Sequence, residues 1–237
     1  MRIQSYIITL AVSIIGAAQL SAQSGTYYTI RDFQTWSSAT LAYKLNKKVK
    51  FGIGQELRLE NNTSEVDKYF TEGFLKYKIA KPFTLGAELR FIRSNDNEGK
   101  IQGYENHLRH AINAQFKHDV NRFMLKYRLQ YQSSKEMGQT ASLSNDPTKK
   151  WRLKVGGEYN IKKWKLDPKL SGEIFNTMGT SGGFSKIRGT IGTSYNTKKA
   201  GSISLFFRME KELNKTYPQT TNVIGVNYQY TLKRKKK

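Results

Sequence analysis

The chain has 237 residues, with 40 Lys and Arg against 18 Asp and Glu, for a formal net charge of +22. It has no cysteine, which excludes a disulfide framework and a thiolate metal site. Hydrophobic content is only 38%, and after the first residues no apolar run approaches the ~20 positions that a helical membrane span needs.

The opening residues read as an export leader. Arg2 supplies the positive start, residues 6–15 are apolar but too short to span, and residues 16–22 suit cleavage after Ala22. A signal peptide over residues 1–22 sends the mature chain out of the cytoplasm. The positive charge is therefore not expected to serve nucleic acid. Residues 23–32 are expected to form either a short first strand, turning at Arg31 and Asp32, or a segment lying inside a lumen.

From residue 33 a period of two takes over. The stretch Val49-Lys50-Phe51-Gly52-Ile53-Gly54-Gln55-Glu56-Leu57-Arg58 puts Phe51, Ile53 and Leu57 on one side and Lys50, Glu56 and Arg58 on the other. Neighbouring side chains of a strand point to opposite faces, so this is a strand with one apolar and one charged face. The same alternation predicts strands over 33–45, 49–60, 68–79, 83–93, 104–117, 122–132, 151–160, 164–175, 185–195, 201–210 and 221–232. The connections between them are expected to alternate strictly between short turns (46–48, 80–82, 118–121, 161–163, 196–200) and longer loops (61–67, 94–103, 133–150, 176–184, 211–220). Short turns on one side and long loops on the other belong to transmembrane barrels.

The apolar stripes carry no formal charge, with His110 between Leu108 and Ile112 as the one member whose side chain can gain charge near neutral pH. Lys or Arg at a bilayer midplane costs ~2–4 kcal/mol, enough to impose such an exclusion. Tyr43, Tyr69, Tyr77, Tyr131, Trp151, Tyr159, Trp164, Tyr195 and Tyr228 stand near strand ends, as interfacial aromatics do. The expected fold is all-β: a single antiparallel up-and-down transmembrane β-barrel of about 12 strands (10–12) over residues 33–232, in a Gram-negative outer membrane. Twelve follows from counting the short first strand, since single-chain bacterial barrels have even numbers.

The opposite stripes are charged. Expected members of a lumenal network are Glu56, Arg58, Glu88, Arg90, Glu105, His107, Arg109, Lys126, Arg128, Arg152, Glu158, Glu173, Arg188 and Arg208, joined by Glu72, Lys154, Lys165 and Glu210. Opposite charges on one face of a sheet pair across strands, so the simplest reading is a salt-bridged filling. A narrow, anion-preferring pore is the alternative, because charged linings set selectivity. His107 between Glu105 and Arg109 could act as a base, but no nucleophile-elbow serine, metal-ligand spacing or phosphate loop accompanies it. The chain is expected to be non-enzymatic, with no cofactor and no metal. A soluble periplasmic barrel holding an apolar ligand, its charged face towards water, is a second alternative.

Excess positive charge gathers at the short turns and the C-terminus: Lys47, Lys48, Lys81, Lys162, Lys163, Lys198 and Lys199, then Lys233, Arg234 and Lys235 in a basic tail at 233–237. The expected role is a periplasmic rim on a monomeric barrel embedded in outer-membrane lipid. Its expected partners are anionic lipid headgroups, cell-wall polymer or an acidic periplasmic protein.

Trp36, the Gly-x-Glu-Leu-Arg copies at 54–58 and 86–90, and the strands Glu105-Asn106-His107-Leu108-Arg109 and Tyr127-Arg128-Leu129-Gln130-Tyr131 together resemble an outer-membrane barrel family common in Bacteroidota, the domain of unknown function numbered 2490. The resemblance covers 33–232. It departs from the family pattern at residues 105–107, where Glu-x-Arg is usual, and at 128–130, where Arg-x-Glu is usual. It implies an outer-membrane barrel of unassigned activity and brings no catalytic residue.

Overall fold

Each period-two run becomes one strand. The computed structural model describes residues 30–97, 102–138, 146–162, 165–179, 182–197 and 200–233. Its strands are β1 (Ile30–Lys44), β2 (Val49–Glu60), β3 (Glu65–Lys78), β4 (Phe83–Asp96), β5 (Gly103–Val120), β6 (Phe123–Met137), β7 (Thr148–Tyr159), β8 (Leu166–Thr177), β9 (Gly183–Thr197), β10 (Gly201–Glu212) and β11 (Gln219–Lys233). The leader at 1–22, the segment 23–29 and Trp164 lie outside the described residues. Neighbours in sequence pair antiparallel, and β11 pairs with β1, so the sheet closes into a barrel.

Closure does not use a twelfth strand. With eleven, the first and last strands run the same way, and they meet in a parallel seam from Ile30 opposite Gln219 to Lys44 opposite Lys233. Arg31 and Asp32, expected to turn, are instead β1 residues opposite Thr220 and Thr221. Side-chain packing supports the seam: Trp36 faces Gly225, and Ser38 Oγ donates to Asn227 Oδ1 at 2.7 Å. On the next strand Phe206 lies opposite both Gly225 and Gly192, and a Cβ at Gly225 would fall inside the Phe206 ring.

The strands run 12–18 residues; all but β2 and β8 are longer than the alternation suggested, mostly because β pairing continues into polar segments at the long-loop end, and in β5 also through His118 and Asp119 at the short-turn end. The expected strict alternation of connection lengths is lost as a result. The β2–β3 connection shrinks to residues 61–64, where Asn61, Asn62 and Thr63 take φ of 52, 56 and 67°. Asparagine tolerates this left-handed region better than most residues, which fits a tight turn.

Side-chain direction is uniform around the ring. Leu41, Ile53, Leu75, Leu89, Ile112, Leu129, Leu153, Leu170, Ile191, Leu205 and Ile224, one from each strand, point outward and are 47–61% exposed. Arg152 and Arg188 point inward with side chains 13% exposed, and Glu173 with 2%. A barrel with an apolar interior and a charged exterior is therefore ruled out. The uncharged outer stripe covers the middle of the strands only. Arg93, Lys135, Lys149 and Lys211 share the outward phase and are exposed, all towards the long-loop ends. Aromatic pairs flank the apolar band at both edges: Tyr43–Phe51 and Phe123–Tyr159 near the short turns, Tyr69–Tyr104 and Tyr131–Trp151 near the long loops.

Candidate functional site

Inward-facing charges are brought together by strand register. Glu173 on β8 lies opposite Lys154 on β7 and Arg188 on β9; Arg188 lies opposite Glu210 on β10; Glu72 on β3 lies opposite Arg90 on β4. Glu173 is the hub. Its Oε1 accepts from Arg152 Nη2 at 2.8 Å and Arg128 Nη2 at 3.2 Å, and its Oε2 from Arg188 Nη1 at 3.0 Å. One buried carboxylate thus holds guanidiniums from three strands. Glu210 accepts from Lys186 Nζ at 3.1 Å. Arg188 Nε stands 2.7 Å from Glu210 Oε1, close as an ion pair although the N–H is not aimed at the oxygen.

Aromatic rings fill the space between these ion pairs. The Arg58 guanidinium stacks 3.5 Å from the Trp36 ring centre, with Arg208 at 4.8 Å. Arg90 lies 3.9 Å from the Phe70 ring, and Arg152 and Arg188 each 4.7 Å from that of Phe175. Desolvated cation–π contacts are worth ~2 kcal/mol each, so the rings hold the cations as well as excluding water. Trp36 and Phe70 are each 4% exposed, and Trp36 Nε1 donates to Gln34 Oε1 at 2.9 Å. Trp36 on β1 also comes within 5.9 Å of Arg188 on β9, three strands away around the ring. The result is a belt of rings, guanidiniums and carboxylates across the lumen.

Other expected members take varied places. Glu56 pairs with Arg58 of its own strand at 2.6 Å, and Glu72 with Arg90 across strands. Glu88 accepts from the side-chain amides of Asn113 at 3.1 Å and Gln130 at 3.4 Å. His107 Nε2 lies 3.1 Å from Glu105 Oε2. Glu158 pairs with Lys126 at 2.7 Å and Lys169 at 3.7 Å. Arg208 Nε donates to Thr190 Oγ1 at 3.1 Å. Arg109 lies opposite Arg90 and has no ion pair within 4 Å among the described residues. Lys165 is not lumenal: it is exposed just before β8, 5.9 Å from the outward Tyr195 ring. Of the rim, Lys47, Lys48, Lys81, Lys162 and Lys233 are exposed at the short-turn end; Lys163, Lys198, Lys199, Arg234 and Lys235 lie outside the described residues.

The inward aromatics Phe70, Phe175 and Phe206 escaped the sequence reading. Their signal is phase: each sits two residues from an inward charge (Glu72, Glu173, Arg208), out of step with the apolar stripe of its strand. The belt separates two cavities with no lining residue in common. One of about 230 Å³ lies towards the short turns, around Lys126, Lys154 and Glu158. The other, of about 390 Å³, lies towards the long loops, around His107, Arg109 and Lys150.

The profile of the family described as "Protein of unknown function (DUF2490)" matches residues 33–221. The chain belongs to this family. The DUF2490 match thus runs from within β1 into β11. No curated protein matches the DUF2490 chain. Among solved structures, a protein described as "KdgM porin" aligns with a TM-score of 0.43 at 15% identity, covering 76% of this chain and 84% of that one. Acinetobacter baumannii OccAB4 aligns with a TM-score of 0.33 at 10% identity, covering 73% of this chain and 48% of its own. For the DUF2490 chain itself, the closed strand order is what establishes the barrel.

Proposed function

We propose that the protein is a non-enzymatic outer-membrane barrel of a Gram-negative bacterium, Bacteroidota being the expected group. Residues 1–22 direct its export, and it acts as a monomer with a structural or interaction role. The observation that carries this reading is the apolar band, to which every strand contributes a residue about half exposed. Soluble monomers rarely leave contiguous apolar patches beyond a few hundred Å² in water. Even the 12-residue strands are long enough: at ~3.3 Å per residue and a tilt of ~40° they rise roughly 30 Å, the thickness of a hydrocarbon core.

The short turns face the periplasm in this orientation. There Lys47, Lys48, Lys81 and Lys162 meet anionic headgroups, cell-wall polymer or an acidic partner through charge attraction. A second reading, a narrow anion-preferring passage, draws support from lumenal cations such as Arg109 that have no carboxylate within ion-pair distance among the described residues.

Fractionation and bilayer recording test both parts. The expected result is detergent-dependent extraction from envelopes, a gel mobility that changes on boiling, and electrically silent insertion into planar bilayers. Release by washing without detergent refutes the membrane assignment. Steady, anion-selective conductance replaces the filled lumen with the pore.

A further inference from the structure

The lumenal charges do not balance at the short-turn end. The 230 Å³ cavity is lined by Lys126, Arg128, Lys154 and Lys169, with Glu158 as the single carboxylate among its lining residues. Strand register produces this imbalance: Lys126 lies opposite Lys117, and Arg128 opposite Lys154. Like charges directly opposed on one face repel. Glu158 is divided between Lys126 at 2.7 Å and Lys169 at 3.7 Å, while Lys169 also donates to Ser194 Oγ at 2.6 Å. Arg128 shares Glu173 with two other arginines, and its buried Nε has no hydrogen-bond partner. Lys154 has no ion pair within 4 Å among the described residues.

Around Glu173 and Glu210 carboxylates are shared, but Arg128, Arg152, Arg188 and Lys186 each reach one at ion-pair distance. Here cations crowd a chamber that is open at its mouth and short of counter-charge, an arrangement that an entering anion relieves. Three of the four lining cations are lysines. Ammonium groups act as point charges that suit phosphate, and the one guanidinium fork, which would favour a planar carboxylate, is already engaged by Glu173. The volume equals roughly eight waters at ~30 Å³ each, enough for a compact ligand.

We propose that this chamber binds a small multivalent phosphate, which enters from the short-turn mouth and is stopped by the belt of arginines and aromatic rings beyond. Whether the barrel conducts bears on the stop at the belt and not on the binding site, so silent or conducting bilayer records leave the phosphate site standing. The phosphate arrives either free in solution or on a lipid headgroup at the mouth, and the test separates the two.

The full chain, folded in neutral detergent, is titrated with inorganic pyrophosphate by calorimetry. A parallel arm uses mixed micelles containing phosphatidic acid, whose phosphomonoester headgroup can carry two charges. The expected result is saturable pyrophosphate binding that weakens as salt rises. Affinity falls about tenfold in Lys154→Gln, recovers in Lys154→Arg, and is unchanged in Lys211→Gln on the outer face. Micelle binding that competes with pyrophosphate and is lost in Lys154→Gln also supports the chamber, and assigns its ligand to a headgroup. Mobility before and after boiling confirms that each variant is folded; should Lys154→Gln not fold, Lys169→Gln takes its place. Absence of binding in both arms, or equal affinity in wild type and the glutamine variant, overturns the proposal.

Discussion

Replacing Glu173 by Gln isolates the charge at the centre of the belt, because the side chain keeps its size and shape. Four nitrogens from three guanidiniums lie 2.8–3.2 Å from its oxygens, and its side chain is 2% exposed. At an effective dielectric of 20, each contact near 3 Å corresponds to ~5 kcal/mol of attraction before desolvation is subtracted. Desolvation and the mutual repulsion of Arg128, Arg152 and Arg188 cancel much of that gross sum. Removing one partner of a buried pair typically costs ~3–5 kcal/mol, since the remaining charge is stranded, and that is the expected destabilisation. Urea unfolding in lipid vesicles, followed by tryptophan fluorescence, measures it. Adding Arg152→Gln should recover part of the loss, because one stranded guanidinium disappears with it. A Glu173→Gln cost below ~1 kcal/mol, the scale of solvent-exposed pairs, would mean that water fills the belt and that the reasoning fails.

Two further pairs of substitutions probe the outer face and the seam. Ile112, 61% exposed at the middle of the outward stripe, should cost ~2–4 kcal/mol when changed to Arg in a bilayer, whereas Met137→Arg near the long-loop end should cost under ~1 kcal/mol. Equal unfolding free energies for the two in vesicles would remove hydrocarbon from the middle of the outer face. Gly225→Ala pushes a methyl into the Phe206 ring and should cost ~1–3 kcal/mol by overpacking, with Phe206→Leu in the same chain restoring stability. A Gly225→Ala barrel as stable as wild type in the same urea assay would show that the Phe206 ring swings away freely.

The strands and the direction of their side chains were legible because a strand has a fixed side-chain period, whatever surrounds it. Phe51 and Arg58 fall on opposite faces by parity alone, and the structure puts the first outward and the second inward. Strand limits were less legible. The ends of β3 and β5 are polar, and backbone pairing extends through them without needing an apolar face.

The sequence by itself determined the all-β class, the eleven alternating runs and which stripe is charged, since each follows from residue chemistry at neighbouring positions. Only the tertiary structure decided that β1 and β11 meet in parallel, that Glu173 gathers Arg128, Arg152 and Arg188, and that Phe70 and Phe175 lie against the arginines. Parity assigns a side chain to a face but not to a height along the barrel. Height depends on the stagger of all the strands at once, and that is fixed only when the sheet closes.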